Sequence, residues 1–526
     1  MTLPFVGKAI HIDDTIYIYT ARQILHEPLN PYGFQLNWLG TTAPALQGVG
    51  NPPFLPYYLS LLMALFGESE LVLHGGLILF PMLAACSAYF LALRFTAHPL
   101  PVTLLLLLAP PFFLGASSLM LDVPALSLFL TSTALFVYGI DDRNKPALIL
   151  AGVSLGLAFL TKYWPILNFP FLLFYAWKNK RTRDSILPLG LAALISIGWI
   201  GIDFRVSGNL PPFLTGGWVV QVNLPLSARI VSFLSFAGTG MFACACFLLS
   251  GSRKKWAYAG ACIAAASVLT LRSSLSLPSN LLLFLLVLNG GFLLGLAIAA
   301  CANKKTWADA DGQFLVLWLA GTLAFTAIMV PYVAMRHMLI FLFPLILILF
   351  RSMDMSPNFK TALPINLALT FSLSLALSIG DFIFSNAYRQ TAKTIYEKIE
   401  AANPAFAGGD TGGSPPRVWI LSHWGFQYYM ENRGAKILGW DNIGKLRAGD
   451  WVINTRTAHS NFIPQQVWAH LQLQEEIHSR SSWPVRLMNQ VSGAGWYAQM
   501  WGPLPFTLNS DAELETFYLY RNSPPG

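Results

Sequence analysis

The chain has 526 residues, of which 55% are hydrophobic and only 11% are charged. Soluble globular domains contain about 25% charged residues, so the composition excludes an ordinary soluble enzyme and indicates a polytopic α-helical membrane protein. The formal net charge of +8 does not indicate nucleic-acid binding, because the lysines and arginines stand singly or in short groups between apolar runs.

Two adjacent carboxylates, Asp13 and Asp14, open the first helical pattern, DDTIYIYTARQIL. Such a pair can simply stabilise a helix start through the helix dipole. At the edge of an apolar membrane domain it can instead supply a general base or bind a cation. Charge alone does not choose between these interpretations.

A short apolar segment follows at residues 51–67, NPPFLPYYLSLLMALFG. It falls short of the roughly 20 residues that span a bilayer, so it predicts a helix lying in the membrane interface. We therefore assign residues 1–71 to an outer acidic loop with interfacial helices.

Residues 72–384 contain twelve apolar runs that predict membrane spans. The runs cover 72–95, 100–117, 121–140, 147–161, 164–177, 185–203, 226–250, 256–272, 280–302, 313–331, 337–351 and 361–384. Alternate gaps between them hold fourteen basic residues, whereas the other gaps hold five. The richer set is predicted to be cytoplasmic. The acidic pair and the chain after Lys393 are then expected on the outer side of the cytoplasmic membrane, where they meet.

The five outer basic residues each stand near a predicted helix end. They are Lys162, Arg205, Arg229, Arg272 and Arg336. They can reach lipid headgroups as interfacial anchors, and Arg336 with His337 can also form a salt bridge to Asp381. Alternatively, Lys162, Arg336 and His337 can bind the phosphate of a lipid carrier. Asp122, at the start of a predicted span on the same side, is either a helix-capping residue or part of that site.

Residues 385–526 change to a polar composition and contain no further span. A helical pattern at 388–402 precedes a glycine- and proline-rich linker, GGDTGGSPP. Alternating strand and helix patterns then predict a small extracytoplasmic α/β domain, with strands at 417–421, 436–438, 450–454 and 516–520 and a helix at 423–432. The chain lacks the usual signatures of ATP hydrolysis, zinc proteolysis, thiol redox chemistry and serine hydrolysis.

An outer N-terminus requires a preceding span or signal peptide, and Met1–Ile10 is too short for either. We therefore expect a first span encoded upstream of Met1, or else translocation of the N-terminal tail behind the first span.

Taken in order, the motifs over residues 10–350 resemble the GT-C superfamily of membrane glycosyltransferases. The similarity is strongest to the groups of protein O-mannosyltransferases and lipid A aminoarabinose transferases. It rests on DDTIYIYTARQIL, on NPPF ahead of LLMALFG, on LDVP at 121–124, on LTK at 160–162, and on RH at 336–337 followed by Pro344.

The resemblance implies an inverting transfer of a sugar from a polyprenyl-phosphate carrier to a lipid, glycan or protein acceptor. By this resemblance, Asp13 occupies the position of the group's catalytic aspartate, and Asp14 occupies the position where the group usually has glutamate. Asp122 occupies the position of the acidic residue in the group's second outer loop. Lys162 and Arg336 then meet the carrier phosphate. The chain departs from the group in having Asp14 where Glu is common and Asn51 where His or Lys is common, and the first span of the group is expected upstream of Met1.

We therefore predict a membrane glycosyltransferase with catalytic residues Asp13 and Asp14. Asp122, Lys162, Arg336 and His337 are predicted to bind substrate. No cofactor is firmly predicted, although a divalent metal ion at Asp13, Asp14 and Asp122 remains open. A transporter or flippase of amphipathic lipids is the alternative, but it should show paired charged or broken positions at mid-membrane, and the sequence shows none. A membrane scaffold without catalytic activity is a third possibility.

Overall fold

Helices dominate the chain, as its apolar runs predict. The structure is a computed structural model that describes residues 2–38, 41–215, 225–242, 253–270, 274–352, 357–402, 417–458 and 463–523. The N-terminal part combines helices with an antiparallel strand pair. Its elements are α1 (Asp14–His26), β1 (Gln35–Trp38), β2 (Thr41–Pro44), α2 (Ala45–Val49) and α3 (Phe54–Phe66).

The middle of the chain is a bundle of apolar helices. In chain order they are α4 (Glu70–Leu77), α5 (Leu79–Phe95), α6 (Pro99–Leu108), α7 (Pro110–Gly115), α8 (Asp122–Asp141), α9 (Lys145–Thr161), α10 (Asn168–Lys178), α11 (Thr182–Ser207), α12 (Pro212–Thr215), α13 (Leu226–Gly240), α14 (Arg253–Thr270), α15 (Leu277–Ala302), α16 (Lys304–Trp307), α17 (Ala310–Ala324), α18 (Leu339–Ser352) and α19 (Pro357–Ala402). A π-helical turn, Phe325–Met329, extends α17, and a 3₁₀ turn, Met335–Met338, precedes α18.

Within the described residues, seven helical segments are long and apolar enough to cross a membrane. They are Glu70–Phe95, Asp122–Asp141, Thr182–Ser207, Leu277–Ala302, Ala310–Met329, Met335–Ser352 and Lys360–Ala402. The predicted class, a polytopic helical membrane protein, is confirmed.

The other predicted spans also contain helix but are shorter or interrupted. The predicted span 100–117 divides into α6 and α7, because Pro110 and Pro111 lack the backbone N–H that would continue α6. Helix α9 has 17 residues, and α10 begins only after a 3₁₀ turn, Trp164–Leu167. Residues 243–250 and 271–272 of two further predicted spans lie outside the described residues.

Helix α8 separates two groups of charged residues. It has 20 residues, so its ends lie about 30 Å apart. At its last residue, Asp141 binds Arg94 at 2.7 Å, and Arg94 also binds Asp311 at 2.7 Å. Lys162 and Arg336 lie at the other end, beside Asp122. Basic residues that the sequence assigns to opposite membrane faces therefore lie at opposite ends of α8.

Helix α19 joins the bundle to the C-terminal unit. It has 46 residues and is therefore about 70 Å long, more than twice the thickness of a bilayer core. Beyond the bundle, the ring of Tyr388 contacts Phe426 and Phe517. The predicted domain boundary at Ser385 lies inside this helix, because no proline or glycine interrupts the chain there.

The C-terminal unit contains strands and short helices, as predicted. Its elements are β3 (Val418–Leu421), α20 (Trp424–Glu431), β4 (Lys436–Ile437), β5 (Trp451–Thr455), α21 (Gln465–Trp468), β6 (Leu471–Ser479), β7 (Val485–Arg486), β8 (Met488–Asn489), β9 (Ala494–Gly495), β10 (Thr507–Leu508) and β11 (Glu515–Asn522). A mixed sheet has the order β4-β3-β5-β11-β6, parallel from β4 to β5 and antiparallel beyond. The predicted linker at 408–416 lies outside the described residues.

The N-terminal stretch packs directly against this unit. The backbone N–H of Ile10 donates to the hydroxyl of Tyr429 at 2.8 Å, and the hydroxyl of Tyr19 donates to Glu431 at 2.5 Å. A Cβ atom at Gly425 would come within 2.1 Å of the Ile10 carbonyl oxygen, so this contact requires a glycine. The C-terminal unit therefore lies at the end of the bundle that carries Asp122.

Candidate active site

Asp13 enters the site from a tight turn that precedes α1. Residue Ile12 has a positive φ of 49°, which is unusual for a β-branched side chain. The N–H of Asp14 donates to the carbonyl of His11 at 3.1 Å, which closes the turn. Asp13 makes no side-chain capping bond to α1, so its carboxylate is directed to other partners.

Asp122 and Lys162 form an ion pair between neighbouring helix ends. Asp122 is the first residue of α8, and Lys162 directly follows α9. Lys162 Nζ lies 2.7 Å from Asp122 Oδ1, and the lysine side chain is 19% exposed. Lys162 is therefore held in an ion pair inside the protein. A residue that only anchors the chain to lipid headgroups would not need this pairing.

Arg336 lies between the carboxylates of Asp13 and Asp122. Its Nη1 is 3.3 Å from Asp13 Oδ2, and its Nε is 4.0 Å from Asp122 Oδ2. Its Nη2 donates to the hydroxyl of Tyr332 at 2.7 Å. The predicted alternative, a salt bridge from Arg336 to Asp381, is wrong, because Asp381 instead pairs with Lys8.

His337 is buried beside Arg336 and is fixed by its own turn. The N–H of Ala334 donates to its Nδ1 at 3.2 Å, so the imidazole acts as an acceptor there. Its ring lies 5.5 Å from that of Tyr332. His337 also lines the cavity described next.

One cavity of about 220 Å³ brings most of the predicted residues together. Asp13, Lys162, Arg336 and His337 line it, and Asp122 bonds to two of them. Further lining side chains are Ile16, Tyr17, Trp38, Val49, Asn51, Tyr163, Trp164, Phe325, Met329, Val330, Pro331, Tyr332 and Ile340. Two cationic groups and the carboxylate of Asp13 thus line a mainly apolar and aromatic pocket, and Asp122 pairs with both cations.

Tyr17 and Tyr332 are cavity residues that the sequence reasoning missed. Burial raises the pKa of both phenols, and the carboxylates of Asp13 and Asp122 raise them further. Both therefore stay neutral and can act as hydrogen-bond donors. The four-residue spacing from Asp13 to Tyr17 at the start of α1 could have revealed Tyr17, whereas Tyr332 lies outside any helix, ahead of the turn that carries Arg336.

Asp14 does not line this cavity. Its side chain is fully buried, and its Oδ1 accepts a hydrogen bond from Ser118 Oγ at 3.1 Å. Its Oδ2 accepts one from the N–H of His11 at 3.3 Å. The structure therefore separates the two adjacent carboxylates, and Asp13 alone faces Arg336.

The residues present do not fit a metal ion bound jointly by Asp13, Asp14 and Asp122. In the part of the chain that the structure describes, no group of three or more histidine, cysteine, aspartate or glutamate side chains could hold one. Arg336 stands between Asp13 and Asp122, and Asp14 faces another partner. The positive charge at these carboxylates comes from Arg336 and Lys162.

The C-terminal unit contributes a wall behind the site. Trp496 and Tyr497 line a small gap of about 20 Å³ together with Asp122 and Arg336. The N–H of Met335 donates to the carbonyl of Trp496 at 3.0 Å, directly before Arg336. The hydroxyl of Tyr497 donates to Asp381 at 2.6 Å. The last part of the chain thus fixes the segment that carries Arg336.

Comparison with solved structures finds matches at low sequence identity, each with a TM-score below 0.5. ArnT from Cupriavidus metallidurans in the apo state has 14% identity and a TM-score of 0.49, over 100% of this chain and 97% of that chain. The same protein bound to undecaprenyl phosphate has 14% identity and a TM-score of 0.48, over 99% and 96%. The Archaeoglobus fulgidus oligosaccharyltransferase tethered with an acceptor peptide has 14% identity and a TM-score of 0.41, over 82% and 60%.

Sequence comparison adds a more local match. No curated protein sequence matches the chain significantly. The profile of the family described as dolichyl-phosphate-mannose-protein mannosyltransferase matches residues 50–200, which include Asp122 and Lys162. Over that segment the chain is therefore similar to the dolichyl-phosphate-mannose-protein mannosyltransferases, which confirms the resemblance that its motifs indicated.

Proposed function

We propose that this protein is an inverting glycosyltransferase that moves a sugar from a polyprenyl-phosphate carrier to an acceptor at the outer face of the cytoplasmic membrane. One observation carries the proposal. Asp13, Lys162 and Arg336 come from three distant parts of the chain and line one cavity at the end of the helix bundle. A general base and two phosphate-binding cations are what such a transfer needs.

In the proposed reaction, Lys162 and Arg336 bind the phosphate of the donor. The bond between the sugar C1 and the phosphate oxygen breaks as the acceptor oxygen or nitrogen bonds to C1 from the opposite face. The polyprenyl phosphate then leaves with one additional negative charge. The two cations stabilise that charge, so the leaving group needs no proton.

Asp13 takes the proton of the acceptor in this proposal. In the structure its carboxylate is 3.3 Å from Arg336 Nη1. A donor phosphate competes with Asp13 for this guanidinium, because a phosphate is also an anionic acceptor of guanidinium hydrogen bonds. Donor binding thereby frees a carboxylate oxygen of Asp13 for the acceptor. The acceptor is then deprotonated only after the donor has bound.

The apolar lining supports a lipid-linked donor. The π-helical turn Phe325–Met329 borders the cavity, and the side chains of Ile328 and Met329 are 73% and 66% exposed. Exposed apolar side chains next to a charged pocket suit a substrate with a polar head and a hydrocarbon tail.

The test is the mass of lipid-linked sugars in cells from which the gene has been deleted. We expect a polyprenyl-phosphate sugar to accumulate, and the wild-type gene to remove it. Asp13→Asn should not remove it, because the amide cannot take the acceptor proton. Asp142→Asn is the matched control, since Asp142 is an exposed carboxylate at the opposite end of α8. Normal lipid levels with Asp13→Asn would refute the role of Asp13.

A further inference from the structure

Asp14 connects the two segments that carry Asp13 and Asp122. Its Oδ2 accepts from the N–H of His11, in the turn that leads to Asp13. Its Oδ1 accepts from Ser118 Oγ, in the segment that leads to Asp122. Asp14 is only 1% exposed and Ser118 only 3%. A single buried carboxylate thus bonds to both segments.

The turn on the Asp13 side is strained. Ile12 has φ 49° and is 3% exposed, so a β-branched residue is held in the left-handed region inside the protein. Residues other than glycine enter this region at a cost, and surrounding bonds must hold them there. The bond from His11 to Asp14 and a bond from Thr15 Oγ1 to the carbonyl of Ile12 at 3.1 Å enclose the turn.

On the Asp122 side, Ser118 links Asp14 to the segment that precedes Asp122. Its Oγ donates to Asp14 and accepts from the N–H of Met120 at 3.3 Å. Met120 Sδ lies 3.8 Å from Arg336 Nη1. The segment therefore contacts Arg336, which faces both Asp13 and Asp122, and Asp122 follows two residues after Met120.

We propose that Asp14 is a positioning residue, which holds the strained Ile12 turn and the Ser118 segment so that Asp13 and Asp122 both face Arg336, a cation of the cavity. The assignment of that cavity as an active site rests on the proposed function. Asp14 itself does not line the cavity, so it does not reach substrate there. Lys8, His11, Asp381 and Tyr497 surround it on its other sides.

A rescue experiment separates positioning from acid–base chemistry. Asp14→Ala should lower kcat for the lipid-linked sugar at least about tenfold with little change in KM, because Asp13 is displaced while donor binding remains. Ile12→Gly adopts the left-handed conformation without strain. It should therefore restore most of the lost rate in the Ile12→Gly, Asp14→Ala double variant. The donor is the lipid extract of the deletion strain, and the enzyme is the full chain in membranes.

Ile10→Gly is the matched control. Ile10 is also fully buried, but its φ is not positive. Ile10→Gly should not rescue Asp14→Ala. Asp14→Asn keeps an acceptor oxygen and should lose less rate than Asp14→Ala. If Asp14→Asn is as inactive as Asp13→Asn, or if Ile12→Gly restores nothing, Asp14 is not acting through the turn and the proposal is overturned.

Melting temperatures of the same purified variants test the proposal without any substrate. Ile12→Gly removes a buried side chain and should lower both melting temperatures, but it should lower that of Asp14→Ala less than that of the wild type, because only the variant has lost the bond that holds the turn. Equal effects in both backgrounds would overturn the positioning role. A deletion strain that accumulates no lipid-linked sugar would refute the proposed function and leave this comparison intact.

Discussion

Asp13 and Asp14 are neighbours in sequence but differ in surroundings. The side chain of Asp13 is 21% exposed and faces Arg336. Asp14 is buried behind it, between His11 and Ser118. Because α1 begins at this point, consecutive side chains point in different directions, and one acid reaches the cavity while the other reaches the supporting segments. We therefore assign different tasks to the two residues.

The burial of Asp14 predicts a pH-dependent stability. Burial raises the pKa of Asp14 from 3.8 to about 7, against the opposing influence of Lys8 and Ser118. Between these values the folded protein binds a proton that the unfolded chain does not. The free energy of unfolding should therefore fall as pH rises from about 4 to about 7, by up to about 1.4 kcal/mol per pH unit.

Thermal unfolding of the wild type and of Asp14→Asn between pH 4 and 8 measures this contribution. Burial lowers the pKa of His11 to about 3, so His11 makes the free energy of unfolding rise with pH over part of the same range. The difference in free energy of unfolding between the wild type and Asp14→Asn removes this contribution, because both proteins contain His11. The stability of the wild type relative to Asp14→Asn should decline with rising pH and level off above about 7. Parallel curves would contradict the burial argument.

At the level of elements, the crossing of α13 and α15 depends on glycines. A Cβ at Gly290 on α15 would lie 1.9 Å from the carbonyl oxygen of Leu234, and one at Gly238 on α13 would lie 2.1 Å from that of Leu286. The two backbones are therefore in contact. Helix α13 also packs near Met335 and Met338, which flank Arg336.

Gly290→Ala should consequently separate α13 from α15 and lower the free energy of unfolding by about 1–3 kcal/mol. Gly190→Ala on α11 is the control, because a Cβ there meets nothing within 4 Å and alanine favours the helix. Thermal unfolding of both variants gives the comparison. Equal melting temperatures of the two variants would show that α13 and α15 accommodate the added methyl group without loss of stability, which would contradict this prediction.

The elements show which features a sequence can predict. Apolar runs located the helices, and charge asymmetry grouped Lys162 with Arg336, because both signals are local. The break at Pro110 is local as well, because two prolines end α6, whereas the boundary expected at Ser385 followed a change in composition that falls inside the continuous helix α19. The roles of Tyr332 and Ser118 were missed for a different reason, since each depends on a partner that folding supplies.

At the scale of the whole molecule, the C-terminal unit is built into the site. The carbonyl of Trp496 accepts from Met335, and that of Val333 accepts from Gln499 at 2.9 Å. Tyr497 reaches Asp381 on α19, which also pairs with the buried Lys8 near the start of the chain. The segment around Arg336 is thus held by residues from both ends of the sequence. Single-sequence patterns give no sign of this arrangement, because each bond joins distant segments.

The central claim is that Lys162 and Arg336 together hold the phosphate of a polyprenyl carrier. Its most direct test is the affinity of the full-length protein for undecaprenyl phosphate, with undecaprenol as the ligand lacking phosphate. Lys162→Ala and Arg336→Ala should each weaken binding of the phosphate at least about tenfold, since each removes a charge-assisted hydrogen bond.

Arg205→Ala is the matched control, because Arg205 is an exposed arginine near the end of α11 and does not line the cavity. It should bind undecaprenyl phosphate like the wild type, and all variants should bind undecaprenol equally. Unchanged affinity for undecaprenyl phosphate in both Lys162→Ala and Arg336→Ala would contradict the account.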